Sequence, residues 1–302
     1  MMGSQFWWFY DVLAVAVILL VIYANAKRGF KKNFLVMIGY ILSAVVASVA
    51  SAMLAEPVYS GVIRESNLTA FEQVLTEYDG TEAIRDALDE QRYGAQFDNK
   101  KIDVYLSPAK EDFEDGLYRY VNQTCDYTVT TPTEFRNILR GAFIESFGGL
   151  IAEQMPLYAR LSLEEQLADN NALYVQTMQQ IYGESGSRRQ IASYLEDTYV
   201  KDDCIQIVNA FLFIAIFCCL MSIIAVIAKK MESRFYFNIY PFVDRVAGGL
   251  LGILEALMLL CLLCMFLRLL FVTASDTMLV LNEETILRSR LFRYVYILSG
   301  KL

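Results

Sequence analysis

The chain has 302 residues, 26 Lys and Arg against 34 Asp and Glu, no histidine, and 56% hydrophobic residues. This is too apolar for an ordinary soluble domain, yet 20% charged residues is too many for a protein lying wholly in lipid, so the two compositions are segregated along the chain. With no histidine, serine-triad hydrolysis and His-metal chemistry have no support, and a net charge of -8 argues against a nucleic-acid partner.

Four stretches reach the roughly 20 apolar residues that a helix needs to cross a hydrocarbon core. Residues 6–26 carry one acid, Asp11; residues 34–55 and 205–228 are uncharged; residues 246–267 contain Glu255 and meet Arg268 at their far end. The expected fold is therefore an all-α membrane protein with four transmembrane helices and a mostly helical external insert between helices 2 and 3. Ala24-Asn25-Ala26 resembles a signal-peptide cleavage site, but no Lys or Arg precedes the first apolar run, while Lys27, Arg28, Lys31 and Lys32 follow it. This reverses the export pattern and marks an uncleaved helix with its N-terminus outside. The second short loop holds Lys229, Lys230, Arg234 and Arg245, so the positive-inside bias assigns loops 27–33 and 229–245 to the cytoplasm and everything else to the outside. The expected organisation is helices 1 and 2 over 1–55, an acidic insert over 56–203, helices 3 and 4 over 204–271, and an external tail over 272–302.

The insert carries 27 acidic and 13 basic residues and is long enough for its own core. Capping boxes are expected at Thr131–Glu134, Ser162–Glu165 and Ser187–Gln190. A break is expected at Gly80, a hinge at Gly148-Gly149, and no regular pattern over 93–108. The acidic run from Glu111 to Asp115 lacks calcium-ligand spacing and reads as a solvated face. No metal site, cofactor or catalytic constellation is expected. Cys261 and Cys264 read as apolar packers, and Cys125 and Cys204 as external thiols free to bridge. In the tail, Leu291, Tyr294, Val295 and Leu298 share one helical face, apart from Arg288, Arg290 and Arg293. That pattern suits either an interfacial helix or one packed on the insert.

Within the apolar stretches, Gly39, Ser43, Ala47 and Ser51 repeat every fourth place in helix 2, as do Gly248, Gly252 and Ala256 in helix 4. Small residues allow the close backbone approach that holds helices together in lipid, so these two faces are expected to meet, within one chain or between copies. Ionisable residues at membrane depth are functional candidates by default. Counting the helix rise from the basic ends puts Tyr40 roughly 12 Å, Glu255 roughly 15 Å, Asp11 roughly 24 Å and Arg268 roughly 35 Å above them. Tyr40 is the expected partner of Glu255, and Asp11 that of Arg268.

Phe9-Tyr10-Asp11, an apolar helix, then Arg28-Gly29-Phe30 and a second helix rich in Ala and Ser resemble the start of the colicin V production protein (CvpA) family. Asp244, Arg245, Gly248 and Gly252 resemble that family's Asp-Arg-x-x-Gly-x-x-x-Gly signature. The resemblance implies a four-helix bacterial inner-membrane protein with a role in producing or exporting a peptide toxin. The large insert and Asn33, which stands near where an acid often follows the Arg-Gly-Phe motif, depart from the family pattern. The expected function is non-enzymatic support of toxin secretion or envelope maintenance through membrane or envelope partners, the bilayer and further copies of the chain. The alternative is an oligomeric transporter or channel that uses Glu255.

Overall fold

The computed structural model describes residues 7–107, 112–168, 170–183, 186–231, 240–273 and 283–299. These residues are mostly helical, with no strand among them. The chain divides into two compact units, residues 1–58 with 205–302, and residues 59–204.

In the first unit, α1 (Trp7–Arg28), α2 (Phe30–Val58), α11 (Lys201–Met231) and α12 (Pro241–Thr273) contain the four apolar stretches. All four are long and apolar enough to cross a membrane. Two short helices follow, α13 (Glu283–Arg288) and α14 (Phe292–Ser299). A single residue, Gly29, separates α1 from α2. Its φ of +85° lies where glycine avoids the cost a side chain would incur, and its N–H still donates to Asn25 O at 2.9 Å. Lys27 and Arg28 close the last turn of α1, where positive charge complements the helix dipole.

The structure changes the expected pairing of small-residue faces. On α12, Gly248 approaches the backbone of Asn25 and Gly29, and a Cβ on Gly252 would lie 3.0 Å from Ile22 Cα and from Asn25 Cβ. The glycines of α12 thus serve contact with α1 rather than α2, while Gly39 of α2 faces Ile224 of α11. Ser43, Ala47 and Ser51 are buried, and Ala47 clusters with Tyr40 and Phe217 beside Met258 and Leu262. The physical reason lies at Gly29: a one-residue reversal brings the end of α1 against the start of α12, where only glycine leaves room.

The second unit contains α3 (Arg64–Glu77), α4 (Gly80–Glu90), α5 (Asn99–Leu106), α6 (Phe113–Cys125), α7 (Pro132–Gln154), α8 (Leu157–Ala168), α9 (Asn171–Tyr182) and α10 (Arg188–Tyr199). Aromatic rings form much of its core: Phe143 stacks on Phe147 at 4.9 Å, and Tyr78 meets Phe147 edge-on at 5.1 Å, a geometry favoured by the ring quadrupoles. The Ser187–Gln190 capping box is complete. Thr131 caps α7 through Glu134 N–H, whereas the Glu134 carboxylate takes the Thr130 hydroxyl instead. Ser162 caps nothing: it is buried inside α8, where its Oγ accepts from Gln166 Nε2 at 3.0 Å. Gly148 and Gly149 lie inside the unbroken α7. The stretch expected to lack pattern holds α5, started by the Asp98 side chain, which accepts from Lys100 N–H. Arg234, the tail start at 272–282 apart from its first two residues, and Glu111 of the acidic run fall outside the described residues.

Candidate functional site

Two intramembrane candidates, Tyr40 and Glu255, form a polar node with Asn25 between α1, α2 and α12. Glu255 follows Gly252 by three residues on α12, so the same face that approaches α1 presents its carboxylate. Tyr40 Oη donates to Glu255 Oε1 at 3.2 Å, as expected. The stronger partner is one the sequence reading overlooked: Asn25 Nδ2 donates to Glu255 Oε2 at 2.6 Å. Asn25 is 1% exposed, and its Oδ1 is buried without a hydrogen-bond partner. Asn33 Nδ2 donates to Asn25 O at 2.7 Å and so ties the first turn of α2 to the last turn of α1. The signal for Asn25 was present as an amide inside an apolar run, a residue type that bridges helices in lipid.

The family-motif residues frame this node. Asp244, in the first turn of α12, holds its carboxylate where a Cβ on Gly29 would stand. That places it at the start of α2, where a helix N-terminus favours negative charge. Phe30 stacks on Phe34 at 5.3 Å, and Arg28 and Arg245 are exposed. Chemically, the node is a carboxylate with a donor on each oxygen, joining three helices. No nucleophile and base stand beside it among the described residues.

Asp11 and Arg268 do not pair with each other. Asp11 Oδ1 accepts the N–H groups of Leu291 at 2.8 Å and Phe292 at 3.1 Å, and Oδ2 accepts that of Arg290 at 2.9 Å. Arg268 Nη2 donates to Tyr296 O at 3.0 Å, and its guanidinium lies 4.4 Å from the Tyr296 ring centre. Both charges hold the C-terminal helix, because the orphan amides at its start suit an anion and the carbonyls near its end suit a cation. Phe292, Tyr296 and Ile286 pack with Tyr10, Leu260 and Cys264. Of the apolar stripe in the tail, Leu291, Tyr294 and Leu298 are exposed, while Val295 packs against this cluster. Cys125 and Cys204 are free thiols; Cys204 Sγ lies 2.8 Å from Tyr158 Oη.

Four long apolar helices, three of them joined by a buried polar node, define a helical protein of the integral-membrane class. Residues 181–299 match the family model described as Colicin V production protein, which bears out the resemblance carried by the Asp244 and Arg245 motif. No curated protein and no solved structure matches the chain.

Proposed function

We propose that the chain is a non-enzymatic bacterial membrane protein whose four apolar helices each cross the bilayer. In this reading both termini and the insert are outside, loops 27–33 and 229–245 are cytoplasmic, and the external unit engages membrane or envelope partners in toxin production, secretion or envelope maintenance. The observation that carries a scaffold role is that both oxygens of Glu255 are engaged, each accepting a bond, from Tyr40 and from Asn25. A carboxylate so tied serves to fix helix order, and truncating the side chain, as in Glu255→Ala, loosens the bundle rather than stopping a chemical step.

A second reading, an oligomeric transporter or channel, rests on one feature, the unpartnered Oδ1 of Asn25 beside the only carboxylate of α12 beyond its first turn. An orphaned buried acceptor marks a place for a proton donor. Ion and proton flux through liposomes holding the purified protein, with Glu255→Gln alongside, separates the two readings. The scaffold reading expects no flux above empty liposomes and a nearly silent Gln variant. Flux that the Gln variant abolishes replaces it with the transport reading.

A further inference from the structure

The tail hairpin has two apolar faces, and only one is used. Ile286, Phe292 and Tyr296 are buried against α1 and α12, while Leu287, Leu291, Tyr294, Ile297 and Leu298 are all exposed, Tyr294 at 63%. Five large apolar side chains on two short helices and the turn between them form a patch that a water-facing surface rarely carries. Its orientation is fixed, because Asp11 holds three amides at the start of α14 and Arg268 holds the Tyr296 carbonyl near its end.

The surroundings identify what covers this face. It continues the apolar surface of α1, where Trp8 and Phe9 are also exposed. Trp7, Trp8 and Tyr294 together match the aromatic girdle that sits at headgroup level. Arginines stand among them: Arg288 and Arg290 are exposed and Arg293 is half-buried. Arg290 lies 5.5 Å from the Trp7 ring centre and Arg293 4.8 Å from that of Tyr294, which directs both cations to the aromatic layer. An apolar face bordered by arginines suits a surface that is hydrocarbon on one side and anionic on the other.

We infer that α13 and α14 form a clasped interfacial hairpin that binds anionic phospholipid, with acyl chains against Leu291, Tyr294 and Leu298 and the headgroup phosphate among Arg288, Arg290 and Arg293. This goes beyond the proposed scaffold role and holds for either functional reading, since it requires only that α1 and α12 enter a bilayer. The three guanidiniums supply the phosphate donors, and the clasp keeps them at one depth.

The two tryptophans of the chain, Trp7 and Trp8, report on this site directly. The full-length protein is reconstituted in phosphatidylcholine vesicles containing equal mole fractions of either brominated phosphatidylglycerol or brominated phosphatidylcholine, and tryptophan quenching is compared. The expected result is at least about twofold stronger quenching by the anionic lipid, lost in Arg288→Gln/Arg290→Gln/Arg293→Gln. Equal quenching by the two lipids in the unmodified protein overturns the inference, as does a preference that the triple variant retains. Should the triple variant fail to reconstitute, the unmodified protein is compared at low and high salt. A preference removed by salt supports the site, and one indifferent to salt overturns it.

Discussion

Asn25 and Glu255 lie 230 positions apart in the chain and meet through a 2.6 Å hydrogen bond between the end of α1 and the middle of α12. Asn25→Ala should therefore loosen the α1–α12 contact. It removes the donor to Glu255 Oε2 and opens space opposite Gly252. A loss of about 1–2 kcal/mol is expected from an unsatisfied buried acceptor together with a small cavity. Thermal unfolding in detergent measures it, and an Asn25→Ala protein as stable as the unmodified one would show that the node holds nothing together.

Gly29→Ala should be costlier than its size suggests, for two reasons. The φ of +85° disfavours any side chain by roughly 1–2 kcal/mol, and the new methyl meets the Asp244 carboxylate. Pairing it with Asp244→Ala should recover the steric part and leave the backbone part. The double variant is thus expected to be more stable than the sum of the single losses. Strict additivity in accumulation and melting temperature would mean that the two residues do not touch.

Asp11→Ala should release the tail. Three charge-assisted bonds to the start of α14 disappear, and such bonds are worth more than neutral ones. Trypsin cleavage after Arg288, Arg290 or Arg293 should become several-fold faster while α1 and α12 stay intact, as mass spectrometry of the fragments reads. Asp11→Asn, which keeps one acceptor, should fall between. Unchanged cleavage in both variants would place the grip on the tail elsewhere.

The long apolar helices were legible in the sequence because a stretch of about 20 apolar residues has few alternatives, and the Tyr40–Glu255 contact followed from counting helix rise. Partner choice was not legible. Asp11 and Arg268 sit on apolar helices of opposite direction and invite pairing by charge. Each is taken instead by backbone groups of α14, a short helix whose orphan amides carry no sequence label. The glycines of α12 likewise specify close approach but not to which helix. That was decided by the one-residue turn at Gly29, whose positive φ cannot be read from the residue type alone. In the second unit, Ser162 and Glu165 keep capping-box spacing, yet helix α8 was already under way from Leu157. A local motif gives way when an earlier start buries more apolar surface.

The α3–α10 contact should weaken as pH rises through the slightly acidic range. Glu196 on α10 is fully buried, with Oε2 facing Arg64 Nε at 3.3 Å and Oε1 unpartnered. Arg64 also reaches Ser193 and Asp197, and Lys201 faces Asp197. Burial, with the Asp197 carboxylate nearby, pushes the Glu196 carboxyl from 4.5 up to about 7, against the opposing pull of Lys201. A raised folded-state value means that the folded chain holds a proton which the unfolded chain has already lost. The associated stability is complete below about 4.5 and disappears as pH climbs to about 7, a change of up to about 3 kcal/mol. Protection of α3 and α10 amides against hydrogen exchange, corrected for intrinsic rates, should decline across that window. Glu196→Gln keeps the neutral shape and should flatten the decline, giving stronger protection than the unmodified protein at pH 7.5. Protection that rises with pH in the unmodified chain would mean that Arg64 keeps Glu196 ionised throughout.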